Sequence, residues 1–154
     1  SLDGAGYLTE TTVPPTRDGK DNIMIEIGAK TTVEKTVTSE LTAQVAGSGM
    51  LPVFGTPFMT AMMENAAASV LQQYLEEGKG SVGTHLNVSH DAPTPVGMKV
   101  WAEAEITSVS ENGKMIDFAV KAWDEKGPIG AGTHTRAIIT NDRFLSKCNS
   151  KLEK

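Results

Sequence analysis

Apolar residues recur at helical spacing between Val53 and Leu75, and no other long segment of the sequence has that period. Thr56 is a suitable N-cap, and Pro57 occupies the first helical position, where its missing N–H carries no cost. Gly78 provides a stop signal. The pattern predicts one helix of about five turns, from Thr56 to about residue 75. Its predicted buried stripe consists of Met59, Met62, Met63, Ala66, Ala67, Val70, Leu71 and Tyr74.

Most of the chain after this helix alternates between apolar and polar residues, which is the period of a half-buried strand. Asn112-Gly113 separates two such runs and suits the type I′ turn of a hairpin. Pro93 and Pro95 end an earlier run, because proline cannot donate to a central ladder. One helix beside antiparallel strands predicts an α+β fold in which a sheet packs on the helix. Strands are predicted at residues 25–38, 81–91, 98–109, 115–124 and 129–140.

The flanking segments are polar, rich in turn formers and without a period. Residues 1–23 are interpreted as a flexible leader or an expression remnant, with Met24 as a candidate native start. Residues 24–140 are expected to form one domain, since a chain of 154 residues can bury a respectable core. Residues 141–154 are expected to form a loose, polar C-terminal tail. Ala43–Pro52 is predicted to be a loop before the helix.

Composition and charge exclude several classes of partner. The chain carries 14 basic and 19 acidic residues without a basic patch, so we expect no nucleic-acid partner. Cys148 is the single cysteine, so an internal disulfide and a cysteine metal site are excluded, which suits the cytoplasm. Three histidines without clustered carboxylates predict no metal site. No apolar run approaches the roughly 20 residues that span a bilayer, so we expect no membrane partner.

Two side chains at the edges of apolar faces could supply acid–base chemistry. Glu64 falls roughly 100° from the centre of the helix's apolar stripe, where the helix leaves the core. His90 ends a strand face that also carries Thr84, Leu86 and Val88. If that face packs on the helix, the imidazole and the carboxylate could line one cavity as general acid and base. The alternatives are a solvated Glu64 and a His90 bonded to the following turn.

Four further residues are weaker candidates. The Thr56 hydroxyl, or the free amides of the first helical turn, could stabilise an oxyanion, although Thr56 could also serve only as a cap. Gly83 permits close backbone approach, and a plain loop glycine would look the same. His134 and Arg136 share a strand face and could bind a phosphate or a carboxylate, with a solvated face as the ordinary alternative.

Three segments carry a resemblance to a known family. They are V-F-G-T-P-F-M-T-A-M-M-E-N-A, G-S-V-G-T-H-L-N-V-S-H-D-A-P-T-P-V-G and I-G-A-G-T-H-T-R-A-I-I. Together they resemble hotdog-fold acyl-CoA thioesterases, and in particular the fluoroacetyl-CoA thioesterase group. The resemblance extends roughly from Met24 to Thr140, and its most specific part is the spacing of Thr56, Glu64 and His90.

The resemblance implies a long central helix wrapped by an antiparallel sheet, in a homodimer with active sites near the subunit interface. It also implies hydrolysis of an acyl-CoA to a free acid and coenzyme A, without a cofactor or a metal. Glu64 would act as the nucleophile or as the base that activates water. His90 would act as general acid and base toward the thiol, and Thr56 would hydrogen-bond Glu64 and orient it.

The same resemblance also implies which residues form the substrate end of the pocket. Gly83 and Arg136 match positions at that end, and Phe54 is the aromatic residue nearest the lid. Fluoroacetyl-specific members carry bulky aromatic residues in the lid before the helix, whereas Ala43–Met50 is small and rich in glycine. We therefore expect a short or medium acyl-CoA as substrate, without a strong preference for the fluorinated one. The alternatives are a hotdog enoyl-CoA hydratase or dehydratase, and a non-catalytic protein that binds acyl-CoA or another small ligand.

Overall fold

The computed structural model describes residues 6–11, 16–17 and 23–153 of the chain. This part contains the strands β1 (Leu8–Thr11), β2 (Thr16–Arg17), β3 (Ile23–Met24), β4 (Lys30–Thr36), β5 (Lys79–His90), β6 (Lys99–Val109), β7 (Met115–Asp124) and β8 (Gly127–Thr140). The helices are α1 (Ala43–Ala46), α2 (Thr56–Gln72) and α3 (Asn141–Asn149), with 3₁₀ turns at Ser39–Leu41 and Ser150–Leu152.

Six strands form one antiparallel sheet in the order β1-β4-β6-β7-β8-β5, and α2 packs across its inner face. β2 and β3 pair separately. The predicted hairpin turn joins β6 to β7, and Gly113 adopts φ +73° there. The predicted α+β architecture, one long helix on an antiparallel sheet, is confirmed. β5 lies at one edge of this sheet, so its outer side has no neighbouring strand among the described residues.

The core lies between α2 and the inner faces of the central strands. Every predicted stripe residue within α2 is at most 2% exposed, and Tyr74, which follows the helix, is 5% exposed. The alternating residues of β6 and β7 are buried as predicted. These inner residues are Val100, Ala102, Ala104, Ile106, Ile116, Phe118, Val120 and Ala122, none more than 3% exposed.

The ends of α2 differ from the prediction. Gly55 is the N-cap, with an extended φ of −78° and ψ of 138°, and Thr56 is the first helical residue, so Pro57 is the second. The Thr56 hydroxyl therefore does not cap the helix and remains available to another partner. At the other end α2 stops at Gln72, earlier than predicted, and Gly78 takes φ +87° in the turn before β5.

The glycine-rich start of β8 has a packing reason. A Cβ on Gly132 would overlap the carbonyl oxygen of Asn87 in β5. A Cβ on Gly130 would overlap the carbonyl oxygen of Ser89 and lie 2.9 Å from the sulfur of Met59 in α2. These two glycines therefore let β8 lie close to β5 and to the start of α2.

β5 contains a bulge that changes the predicted assignment of its faces. Gly83 pairs with Arg136 and His85 with Thr135, so one residue of β5, Thr84, is inserted between the two pairs. Leu86 and His90 face α2 as predicted, but Thr84 is exposed. Residues before the bulge reach the helix side at odd positions and residues after it at even positions.

The N-terminal segment is not wholly a flexible leader. Leu8–Thr11 forms β1 and pairs with β4, and Tyr7 before it is 8% exposed in the core. The ring of Tyr7 lies 4.5 Å from the Lys35 ammonium. Apolar burial and backbone pairing therefore hold this strand on the sheet. The remainder of the predicted leader, apart from the short β2 and β3 strands, lies outside the described residues.

Two other segments predicted to be irregular are helical. Residues after Thr140 form α3 instead of a loose tail, although all of its residues are exposed. In the predicted loop, Ala43–Ala46 forms the single turn of α1. The Thr42 hydroxyl accepts a hydrogen bond from the Val45 amide at its start, and Gly47 ends it at φ +74°. Among the described residues, no helix is long and apolar enough to cross a membrane.

Candidate active site

Thr56 and His90 meet where α2 begins and β5 ends. The Thr56 Oγ1 lies 2.7 Å from the His90 Nδ1. The Phe54 ring meets the imidazole edge to face, with 6.4 Å between centroids, and is itself 2% exposed. A hydroxyl and an aromatic edge therefore hold the imidazole in one orientation. The resemblance implied that Thr56 hydrogen-bonds Glu64, whereas within one chain its hydroxyl contacts His90.

A cavity of about 270 Å³ opens beside this pair. Its walls include Ala43 and Ser48 from the predicted lid, together with Thr56, His90 and Pro93. The His90 Nε2 is buried and makes no hydrogen bond with the described residues. Burial lowers the pKa of His90, and the negative charge of Asp91 and the backbone of Ala92 act in the opposite direction.

Glu64 belongs to a second group of side chains, gathered around Gly83. A Cβ on Gly83 would lie 3.2 Å from the Glu64 Oε2, 3.2 Å from the His134 Cε1 and 3.5 Å from the Arg136 Nη1. Three polar side chains from α2 and β8 therefore converge on the bare backbone of this residue. Of the two interpretations of Gly83, close backbone approach is the one that the geometry supports.

His134 is fully part of this group, although sequence analysis left it on a solvated face by default. It is 1% exposed, and its Nδ1–H donates to the carbonyl oxygen of His85 at 2.7 Å. Its Nε2 then accepts from the Arg136 Nη1 at 3.1 Å. This pair of bonds requires the neutral imidazole with the proton on Nδ1. The ring also stacks on Phe118, with 5.9 Å between centroids.

Arg136 is 8% exposed and held at three of its nitrogens. Besides the bond to His134, its Nε donates to the Ser81 hydroxyl at 2.8 Å, and its Nη2 donates to the Ser81 carbonyl at 3.0 Å. Burial lowers the pKa of Arg136, and the Glu64 carboxylate raises it. Ser81 was not among the predicted site residues, and only the two-residue alternation from Gly83 could have indicated it.

The two groups lie apart within one chain. Thr56 and Glu64 are eight residues apart in α2, which corresponds to about 12 Å along the helix axis. Each group holds part of the chemistry of acyl transfer: an imidazole with a hydroxyl in one, and a carboxylate beside a guanidinium in the other. No cluster of three or more histidine, cysteine, aspartate or glutamate side chains that could hold a metal occurs among the described residues.

Comparisons with known proteins give one consistent picture. Residues 37–142 match the family model described as fluoroacetyl-CoA-specific thioesterase. The fluoroacetyl-CoA thioesterase of Streptantibioticus cattleyicolor is 42% identical over 99 residues, which are 64% of this chain and 70% of that protein. A solved structure of a fluoroacetyl-CoA thioesterase is 34% identical with a TM-score of 0.78, covering 83% of this chain and 98% of the other. The solved structure of a thioesterase superfamily member from Thermus thermophilus is 27% identical with a TM-score of 0.77, and the match covers 84% of this chain and 95% of the other.

The buried His134 makes the stability of the fold depend on pH. Burial of the ring and the positive charge of Arg136 lower the pKa of His134 below its usual value. The hydrogen bond to the His85 carbonyl and the negative charge of Glu64 act in the opposite direction but are outweighed. The unfolded chain therefore takes up this proton first, so the unfolding free energy should fall as the pH drops below about 6.5. We expect His134→Gln to reduce that slope, by at most about 1.4 kcal/mol per pH unit.

Urea unfolding of both proteins between neutral and mildly acidic pH checks this prediction. His85→Gln is the control for loss of a histidine, because its side chain is exposed. Equal slopes for the wild type and His134→Gln would contradict a neutral, buried His134.

Proposed function

This chain belongs to the fluoroacetyl-CoA-specific thioesterase family, and from that premise we propose that Thr56, Glu64 and His90 hydrolyse a short or medium acyl-CoA. Its fold is the hotdog fold of thioesterases, and it is a thioester hydrolase. The observation that carries the proposed site is the convergence of Glu64, Arg136 and His134 on the bare backbone of Gly83. A carboxylate held beside a fixed cation suits attack on a thioester carbonyl, where negative charge develops on the oxygen.

In the proposed reaction, Glu64 opens the attack on the thioester carbon by one of two routes. It either attacks directly, forming an anhydride that water then hydrolyses, or it takes a proton from water as the water attacks. His90 transfers a proton to the departing thiolate of coenzyme A. Thr56 fixes the imidazole through its 2.7 Å contact with Nδ1.

The substrate end is formed by Gly83, Arg136 and Phe54 in this proposal. The Gly83 backbone admits the acyl group close to Glu64, because any side chain there would fill the space. Arg136 supplies positive charge near the carbonyl, and its three hydrogen-bonding nitrogens keep that charge in place. Phe54 lines the cavity beside His90.

A homodimer would complete the site. β5 is 12 residues long, and an edge of that length is normally covered, because it exposes unpaired backbone groups. Both groups of polar residues lie along it, with Gly83 and the exposed Thr84 near its middle and His90 at its end. We propose that β5 pairs with its copy about a two-fold axis, so that Thr56 and His90 of one protomer work with Glu64 of the other.

The individual roles can be tested by substitution. Glu64→Gln and His90→Ala should each lower kcat/KM for acyl-CoA at least about a hundredfold, which is the usual scale for a positioned acid or base. Thr56→Ala should lower it less, and because Thr56 is not the cap, it should cost little stability. Glu77→Gln is the matched control on an exposed residue. Near-normal turnover by Glu64→Gln would remove the carboxylate from the mechanism.

Release of free thiol from a panel of acyl-CoA substrates is the assay, and it also separates the alternative functions. A hydratase would change the absorbance of an enoyl-CoA without releasing thiol. A non-catalytic binding protein would do neither.

Mixed dimers test whether the site is shared between protomers. Glu64→Gln and His90→Ala subunits, mixed after unfolding and refolded together, should regain about a quarter of wild-type activity. Half of the dimers are then mixed, and each of these has one complete site. If each site lay within one chain, no mixed dimer would hold a complete site. An inactive mixture of properly folded dimers would therefore contradict the proposal.

The lid gives an expectation about substrate choice. Ala43–Met50 combines the single turn of α1 with small residues, and Met50 is 88% exposed instead of closing on the cavity. We expect no strong preference for fluoroacetyl-CoA over acetyl-CoA, because discriminating one small substituent needs a closed, dry pocket. The measurement is kcat/KM for both substrates on one preparation, and a preference of about a thousandfold would contradict it.

A further inference from the structure

A basic cleft lies at the opposite end of β5 and β8 from His90, where α3 packs against the end of the sheet. Its volume is about 380 Å³. Four of its lining side chains are cationic, and its apolar lining consists of two isoleucines and a phenylalanine. The cations are Lys79, Lys114, Arg143 and Lys147, and the apolar residues are Ile138, Ile139 and Phe144.

We propose that this cleft, called the basic cleft below, binds the phosphate-bearing nucleotide end of the coenzyme A substrate. The inference rests on the proposed function, because it assumes that the substrate is an acyl-CoA. It adds a binding site at some distance from the reacting carbonyl and gives the C-terminal helix a role.

The charge of the basic cleft is unusual for this chain. The protein as a whole carries a net charge of −5, yet no carboxylate from the described part of the chain lines the cleft. Of its four cations, only Lys79 forms a salt bridge among the described residues, at 3.7 Å from an exposed Glu76. Arg143 and Lys147 are four residues apart in α3 and so repel one another on one helix face. A ligand with several phosphates would neutralise this charge, and guanidinium and ammonium groups bind phosphate well.

The apolar lining suits the rest of such a ligand. Phe144 is 40% exposed on α3, and Ile138 and Ile139 form the adjoining end of β8. A flat, exposed aromatic side chain beside cations can pack against a purine ring while the cations hold the phosphates. The basic cleft therefore offers both kinds of contact that adenosine phosphates require.

The distance from the basic cleft to the proposed site fits the length of the substrate. Gly83 pairs with Arg136 and Lys79 pairs with Thr140 in the same ladder. The two pairs are four residues apart, or about 13 Å along the strands. The pantetheine arm resembles an extended chain of about four or five residues, each spanning about 3.3 Å. A nucleotide in the basic cleft would thus let the thioester reach Glu64.

Part of the basic cleft lies outside the family match. The family model ends at residue 142, so Arg143, Phe144 and Lys147 lie beyond the part of the sequence that matches it. The sequence shows no basic run because the four cations come from the start of β5, from the turn before β7 and from α3. The expectation that the chain has no basic patch therefore holds along the sequence but not in the fold.

Direct binding gives the first test. Isothermal titration calorimetry with adenosine 3′,5′-bisphosphate should show binding to the wild type and at least about tenfold weaker binding to a double variant, Arg143→Ala with Lys147→Ala. A second double variant, Lys121→Ala with Lys126→Ala, removes the same charge from β7 and from the turn that follows it, and should bind as the wild type does. No binding to the wild type at millimolar nucleotide, or equal loss in both double variants, would overturn the proposal.

Kinetics with a truncated substrate gives the second test. Acetyl-pantetheine keeps the thioester and the arm but lacks the nucleotide, so it cannot use the basic cleft. The Arg143 and Lys147 double variant should raise KM for acetyl-CoA about tenfold or more and leave kcat/KM for acetyl-pantetheine unchanged. The KM for acetyl-CoA should also rise with ionic strength more in the wild type than in this variant.

The outcomes separate this inference from the proposed function. Unchanged kinetics with both substrates, or equal losses with both, would overturn the basic cleft as a nucleotide site while leaving hydrolysis in place. If the wild type releases no thiol from any acyl-CoA, the proposed function fails, and the calorimetric comparison alone decides whether the basic cleft binds the nucleotide.

Discussion

Close packing of α2 against the sheet is the constraint on which the rest of the structure depends. At the start of the helix, Met59 lies where a side chain on Gly130 would be, and further along Ala66 and Ala67 are fully buried. Small residues on both sides bring backbone near to backbone, so dispersion contacts are dense and the helix has little freedom to shift. Because Thr56 and Glu64 are both on this helix, the same contact fixes where each polar group stands relative to the strands.

The second requirement is that the polar groups taken into this core keep their partners. Arg136 and His134 are almost fully buried, and burying a guanidinium is costly unless its donors are satisfied. Ser81 accepts hydrogen bonds from two nitrogens of Arg136, and His134 accepts one from a third. The Glu64 carboxylate lies nearby. A network satisfied in this way is rigid, and its charge is already in place before a substrate arrives.

Period and turn chemistry predicted most of the fold, because the helix and the strands of the sheet each bury one face. The inner residues of β6 and β7 and the stripe of α2 follow directly from this. The sequence did not reveal that His134 is buried. The two-residue alternation assigns a side chain to one face of a strand, but it does not say what packs on that face. Nor did the sequence reveal β1, whose polar segment depends on pairing with β4, or α3, whose residues are all exposed and form no buried stripe. The residues named for the site were found by chemistry and resemblance, but their grouping required the register of β5 and β8.

The bulge in β5 has a consequence for how this protein can change in length. Ser81 and Gly83 before it, and Leu86 and His90 after it, all face the helix only because one extra residue separates the two halves. Gain or loss of a single residue anywhere between Gly83 and His90 would turn one half of the strand over and carry its polar group to the opposite surface. Gain or loss of two residues would keep both halves of the strand facing the helix but would change the distance between the two polar groups. Descendants of this gene are therefore expected to tolerate insertions and deletions in the loops far more readily than within these eight positions.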